Sequence, residues 1–470
     1  MINSIDSVVN AISGILYRPY IVPLFLIGAG IIFTILTKFI QIRMFGEMFR
    51  VIKEKPKSEN GMSSFAALMV STASRVGTGN IIGVSTAVCL GGPGAMVWMW
   101  ITAIFGGASA FIESTLAQIY KKRDEDGSCY GGPSYYMKDA LNAKWLGGIF
   151  SVIIILTYAV GYNMLAAFNL QSSFAAFSFY GNSTPYVIGI ILAVLFGAVI
   201  LGGAKRLANV TGLLVPIMGV IYILVSIIVI LMNAGNIGHM FGEMFASAFD
   251  FKAIFGGFTG SCVYLGLKRG LYSNEAGMGS APNAAASADV SHPAKQGLVQ
   301  MLSVFIDTLL ICSATGLMCL STGIPATEEV SGAPYVQQCL GSALGGFGPI
   351  FIAVSLALFA FTTLIGNYYY CEGCLRFLKG KTPSAGFMLV FRLLATLLVF
   401  LGAIITAGLA WDTADMLQGF MVVINIPVIL ILARPAIHCL NDYVAQKKEG
   451  RNPEYIADRS IVKCDTDFWK

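Results

Sequence analysis

Two short stretches combine glycine with polar side chains inside apolar surroundings. The first is Gly77-Thr78-Gly79-Asn80; the second runs from Gly270 to Gly279 and holds Tyr272, Ser273, Asn274, Glu275 and Gly277. Both sit within runs long enough to cross a bilayer, where each glycine costs a helix about 1 kcal/mol relative to alanine. A helix broken at that depth exposes bare N–H groups on one half and bare C=O groups on the other. The N–H ends attract a carboxylate, the C=O ends attract cations. Close packing of small residues explains a pair such as Gly106-Gly107. It does not explain Arg75, Asn80, Asn274 and Glu275, because polar and ionisable groups at membrane depth are costly and mark a pathway or a buried pair. The GxGxxxG spacing from Gly77 to Gly83 has no strand before it and apolar flanks, so a dinucleotide-binding turn is set aside.

The elements that must hold these residues follow from composition. Of 470 residues, 56% are hydrophobic and 12% charged, against about 45–50% and about 25% in soluble domains. A water-soluble enzyme does not fit. Window hydropathy predicts about 11 membrane spans, near residues 20–42, 64–88, 92–119, 147–178, 184–203, 208–233, 254–290, 297–323, 346–377, 386–409 and 412–433. Strict alternation is absent, so the fold class is an all-α integral membrane protein. The two glycine-rich stretches fall in spans two and seven, the first member of each five-span half. The chain divides into an N-terminal segment with a preliminary span and a basic loop (1–63), a first five-helix repeat (64–233), a second (234–433) and a polar tail (434–470) too short for a domain.

Basic residues gather in alternate loops: Lys53, Lys55 and Lys57, then Lys121, Lys122 and Arg123, then Lys205 and Arg206, then Arg376, Lys379 and Lys381. The intervening loops hold Lys252 alone. The positive-inside rule therefore places the N-terminus outside and the C-terminus in the cytoplasm, as a multi-pass protein of the plasma (inner) membrane. No basic region precedes a short apolar core at the start, so no cleaved signal peptide is read there. With 30 Lys+Arg against 25 Asp+Glu and no basic run interleaved with aromatics, no nucleic-acid partner is expected. The ten cysteines are scattered, several inside apolar runs, and imply no disulfide framework. Cys371 and Cys374 form a single CxxC without a second pair of ligands. His239, His292 and His438 are isolated and HExxH is absent, so no catalytic set is visible and no enzyme is read here.

At this point the chain resembles the alanine/glycine:cation symporters, relatives of the group with the LeuT-type inverted-repeat fold. The likeness rests on Val76-Gly77-Thr78-Gly79-Asn80, Gly91-Gly92-Pro93-Gly94-Ala95 with Trp98-Met99-Trp100, and Gly131-Gly132-Pro133 with Tyr135-Tyr136. Further matches are Lys268-Arg269-Gly270, Ser273 through Pro282, Gln296-Gly297-Leu298 and Asp307-Thr308. They run from about Pro19 to Arg434. The resemblance implies one preliminary helix followed by a 5+5 inverted-repeat core, with the substrate held among core helices one, three, six and eight, the spans 64–88, 147–178, 254–290 and 346–377. It places an amino-acid carboxylate at Gly77, Thr78, Gly79 and Asn80, with Tyr272, Ser273, Asn274 and Gly277 on the facing turn. It implies sodium as the coupling ion, held by carbonyls near Ala73 and Val76 and by the hydroxyls of Thr362 and Thr363, oxygen ligands being what a hard cation prefers. Two positions that the resemblance places at the substrate depart from the family pattern: Ala166 stands where many members carry glutamine, and Asn367 where many carry tryptophan. Gln171 is a substitute amide, or a packing residue.

The function implied is a sodium-coupled secondary symporter that imports small neutral amino acids, alanine or glycine and by extension glutamine, by alternating access. A proton-coupled amino-acid transporter is the alternative; an integral-membrane enzyme or a channel is less well supported, since neither a catalytic cluster nor a filter sequence is present. Arg75, Arg269, Glu113, Glu275 and Asp307 are expected to face inward and to be paired, with partners that spacing does not name.

Overall fold

The computed structural model describes residues 2–469 apart from 57, 59–60, 125–126 and 258–260. Lys57, counted above for orientation, lies outside the described residues, as does the side chain of Lys205. Nearly every element is a helix. The one sheet among the described residues is a small antiparallel pair, Lys122–Arg123 with Cys129–Tyr130, in which Lys122 stands opposite Tyr130.

Seven helices among the described residues are long and apolar enough to cross a membrane: Ala95–Ile119, Lys144–Ala176, Arg206–Met232, Pro293–Ser321, Phe347–Lys379, Ala385–Gly402 and Ala407–Ile431. The remaining predicted spans are shorter or broken. Val22–Leu36 and Thr184–Ile200 are apolar helices of 15 and 17 residues. The span expected over 64–88 is two helices, Ser64–Arg75 and Ile82–Gly91. The one expected over 254–290 contains Cys262–Asn274 and Pro282–Ser287. Hydropathy averages over a window, so two half-helices and the polar turn between them register as one span.

Local chemistry sets these boundaries. Ser63 caps the first half-helix by accepting from the Ala66 N–H at 3.1 Å, and Ser261 does the same for Tyr264 at 3.3 Å. Pro282 opens the short Pro282–Ser287 helix at a position where its missing N–H costs nothing. Helices Cys262–Asn274 and Pro293–Val304 pack on Ala95–Ile119, which runs through the interior and is buried along nearly its whole C-terminal half. The Arg206–Met232 helix lies at the periphery. Its Leu213, Ile217, Val220, Ile221 and Leu224 are exposed at helical spacing, an apolar stripe suited to lipid.

The tail is built into the fold. Residues Ala433–Lys448 form a helix that buries Ala436, Cys439, Leu440 and Tyr443. Beyond it the chain crosses one end of the molecule. Tyr455 N–H donates to Ser291 O at 3.0 Å, Ser291 Oγ donates to Pro453 O at 2.7 Å, and Lys295 Nζ reaches Asn452 Oδ1 at 2.9 Å and Glu54 Oε2 at 2.6 Å. Trp469 finishes the strap: its Nε1 donates to Gln118 O at 2.8 Å, and the Lys121 ammonium lies 5.0 Å from its ring and 4.5 Å from that of Phe468. Trp469→Ala should cost about 3 kcal/mol of local docking and open Lys121 and Arg123 to trypsin. Limited proteolysis of the purified protein checks this; an unchanged cleavage pattern would show that the strap does not depend on the indole.

Candidate functional site

The two interruptions face each other in the interior. After Arg75 the backbone extends through Val76 and Gly77, makes one tight turn over Thr78–Asn80, and resumes as helix at Ile82. Asn80 holds the turn from within: its Oδ1 accepts from the Gly77 N–H at 2.7 Å. The N–H groups of Thr78 and Gly79 donate to nothing among the described residues. The Phe347–Lys379 helix closes against this break. At Gly366 a Cβ would lie 2.5 Å from Ser74 N, so only glycine admits so close a crossing. One turn earlier, Thr363 Oγ1 is buried without a partner, 2.1 Å from where a Cβ on Gly77 would stand.

The second interruption turns through three left-handed residues, two of them glycines. Glu275 has φ 56°, and Gly277 and Gly279 both have φ 82°. Here the bare amides are already served. Glu113 on the Ala95–Ile119 helix accepts from Gly277 N–H at 3.3 Å and from Gly279 N–H at 3.0 Å. Asn425 steadies that carboxylate at 2.8 Å and also donates to Gly277 O at 2.9 Å. Glu275 itself accepts from Ser74 and Ser280, each at 3.0 Å.

Asp415, fully buried on the Ala407–Ile431 helix, pairs with Lys268 at 2.8 Å and with Arg269 at 3.2 Å. Arg269 also lies 4.1 Å over the Trp411 ring. Trp411 meets Tyr272 edge-on at 5.3 Å, and Tyr272 meets Tyr162 at 4.8 Å, so a layer of rings separates the breaks from this ion pair. Tyr17 bonds Gln418 beside it, and Asn10 on the N-terminal helix reaches Asp412 at 3.1 Å. Asp307 accepts from Asn80 Nδ2 at 2.7 Å, Ser273 Oγ at 2.7 Å and Thr308 Oγ1 at 2.8 Å. Arg75 donates to Gln300 Oε1 at 3.2 Å, while its Nε and second terminal nitrogen have no partner. Both Asp307 and Tyr162 lie in π-helical segments, Phe305–Cys312 and Leu156–Tyr162, a local widening that often accompanies functional sites.

The residues singled out from sequence divide into groups. Gly77, Thr78, Gly79 and Asn80 form the first break, and Tyr272 covers it: a Cβ on Gly79 would lie 2.6 Å from the Tyr272 ring. Ser273 faces Asp307 and Asn80, and Asn274 accepts from Ala276 N–H at 3.0 Å with its Nδ2 left free. Gly277 turns away, toward Glu113 and Ile426. Ala166 is buried in the Asn163–Ser172 helix. Asn367 is buried between Ser74 at 2.6 Å and Asn163 at 2.9 Å. Ala73 and Val76 flank the first break, with Ala73 under Gly366. The threonine pair is split: Thr362 bonds back to Leu358 O and Phe359 O, at 3.0 and 3.2 Å, and only Thr363 presents a free hydroxyl. Gln171 is engaged by Tyr180 at 2.7 Å. The amide that does reach the break is Asn169, whose Nδ2 donates to Thr78 Oγ1 at 3.0 Å and whose Oδ1 is buried without a partner. The sequence signal for it is an asparagine in an otherwise apolar helix, three residues beyond Ala166. No group of three or more His, Cys, Asp or Glu able to hold a metal ion occurs among the described residues.

Comparison with known proteins gives a consistent result. The model of the sodium:alanine symporter family matches residues 2–457. The amino-acid carrier protein AlsT of Bacillus subtilis is 41% identical, over 95% of this chain and 94% of its own. The sodium/alanine symporter AgcS of Methanococcus maripaludis is 38% identical, over 91% of this chain and 94% of its own. Among solved structures, MhsT in complex with L-phenylalanine aligns with a TM-score of 0.56 and 15% identity, covering 89% of this chain and 94% of that one. That identity speaks to a shared fold alone.

Proposed function

The chain belongs to the sodium:alanine symporter family, and from that premise we propose that it imports small neutral amino acids together with sodium by alternating access. Alanine and glycine are the first candidates and glutamine a further one. Two five-helix halves of opposite orientation follow one preliminary helix, about 11 crossings in all, with the N-terminus outside and the C-terminal strap in the cytoplasm. The unsatisfied N–H groups of Thr78 and Gly79 receive the substrate carboxylate, as helix N-termini receive anions generally. Tyr272 and Asn169 bound the space beside it. Sodium is taken as cargo by oxygens only: carbonyls of Ala73 and Val76 and the Thr363 hydroxyl. Lys268, Arg269 and Asp415, with the ring layer beneath them, form the outer closure.

One observation carries this reading, the partnerless Thr363 hydroxyl at the mouth of the first break. A buried hydroxyl left unsatisfied costs about 1–3 kcal/mol, and a bound cation removes that cost. Because the ion orders the same break that offers amides to the substrate, each ligand raises the affinity for the other by an equal factor. Thr363→Val, which keeps the shape and deletes the oxygen, should raise the half-saturating sodium concentration for alanine uptake about tenfold. Thr362→Val should change it less than about threefold, its hydroxyl being spent on its own helix. Uptake into vesicles under an inward sodium gradient, with choline as the substitute cation, measures both. Equal shifts for the two variants would remove Thr363 from the ion site, and uptake indifferent to choline replacement would remove sodium from the mechanism.

A further inference from the structure

One hydroxyl beside the site faces two acceptors. Ser74 Oγ lies 3.0 Å from Glu275 Oε1 and 2.6 Å from Asn367 Oδ1, yet a serine carries a single hydroxyl hydrogen. Beyond it, Asn367 Nδ2 donates to Asn163 Oδ1 at 2.9 Å, and Asn163 Nδ2 ends the chain without a partner. The second oxygen of Glu275 is occupied by Ser280 at 3.0 Å. All five residues are buried, so bulk water does not arbitrate.

Two hydrogen-bond patterns satisfy this chain. With a proton on Glu275 Oε1, the carboxylic acid donates to Ser74, Ser74 to Asn367 Oδ1 and Asn367 to Asn163, leaving a free N–H at the end. With Glu275 ionised, Ser74 donates to the carboxylate, both amides turn over, and a free carbonyl oxygen stands there instead. Amide orientation follows from the network around it, and here the network is decided by one proton. That proton comes from, and returns to, whichever solution the site faces.

The surroundings support a carboxyl kept for its chemistry. Glu275 holds φ 56°, a conformation that glycine adopts freely and a side chain pays for. Arg75 is the cation that acts on it, from the first interrupted helix. Tyr158 and Tyr162 face it from the π-helical segment, Tyr272 from its own half-helix and Tyr370 from the Phe347–Lys379 helix. Glu113, the acid on the neighbouring helix, is committed to the Gly277 and Gly279 amides.

We infer that proton occupancy of Glu275 sets the hydrogen-bond polarity of Asn367 and Asn163 beside the substrate, and so makes substrate affinity depend on pH. The inference rests on the symport reading and adds a proton-binding group to it. Ser74, Asn367 and Asn163 act as relays, and Glu275 as the positioning residue. The chain ties core helices one, six, eight and three, the four that bound the site.

The test is sodium-driven uptake of L-alanine and L-glutamine in proteoliposomes between about pH 6 and about pH 9, comparing the parent with Glu275→Gln. The parent KM should change about fivefold or more across the range for at least one substrate, the size of effect that a reversed hydrogen bond produces. Glu275→Gln should hold a flat KM, because its amide donates permanently to Ser74 and accepts from Ser280. Ser74→Ala, which severs the relay, should flatten the profile as well and serves if the glutamine variant does not survive purification. A parent KM that ignores pH, or a parental profile retained in either variant, overturns the inference while leaving symport intact. A parent that takes up neither amino acid on a sodium gradient overturns the symport reading instead.

Discussion

Gly77→Ala abolishes sodium-driven uptake, with a fall of about a hundredfold or more expected. A methyl group at this position would stand 2.1 Å from Thr363 Oγ1 and within 3.3 Å of the rest of that side chain. Its neighbours cannot yield, because Gly366 already brings the Phe347–Lys379 helix against Ser74 N. The added carbon therefore fills the space into which the Thr363 hydroxyl points and pushes the Phe347–Lys379 helix away from Ser64–Arg75. Displacing a binding group by about 1 Å is enough to cost about a hundredfold where geometry is tight. The measurement is initial uptake rate at saturating sodium, with gel filtration of the purified variant to show that it folds. A rate within about threefold of the parent would mean that the break is not the binding element.

Asp415→Leu is expected to be the most destabilising single change in the ion pairs described. It strands Lys268 and Arg269, both buried, with no other carboxylate paired to either among the described residues. Breaking a buried pair by removing one partner costs about 3–5 kcal/mol, whereas replacing all charged members by apolar ones is often neutral. Thermal unfolding in detergent should show a large drop for Asp415→Leu and substantial recovery when Lys268→Met and Arg269→Met are added. The triple variant should still fail to hold its outer closure, visible as faster reaction of a cysteine at Asn80 with an external thiol reagent. No loss of stability in the single variant would show that the two cations are solvated in the working protein.

The breaks were legible because glycine and amide residues in an apolar run have few other uses, which singled out Gly77 to Asn80 and Gly270 to Gly279; in the second stretch Gly270 to Asn274 prove to be the end of a helix, and the turn begins only at Glu275. Hydropathy could not show that these runs are physically two helices, nor that the regular helix is only 15 residues long at Val22–Leu36 and 17 at Thr184–Ile200. Partners were out of reach for a different reason. Arg269 and Asp415 are 146 positions apart, and Asn80 and Asp307 are 227 apart, distances that no local periodicity encodes. Adjacent threonines look alike in sequence, but successive helical residues point about 100° apart, so one faces the break and the other its own backbone. Asn169 is not marked by the family pattern, which points to Ala166; only its being a polar side chain in an apolar helix, three residues on, sets it apart. The tail was illegible as structure because its docking rests on Lys121, Gln118 and Ser291, residues distant in the chain.

Glu113 has a consequence for what the protein can select. The Gly277 and Gly279 amides answer to an acid built into the protein, so on the symport reading proposed above the negative end of a visiting molecule goes to the first break. Compounds stripped of that end, such as simple amines, have nothing to moor them. Mirror-image forms of one amino acid present the same two charged groups, so on that reading handedness is judged by the walls proposed to meet the side group, Tyr272 and Asn169 foremost among them.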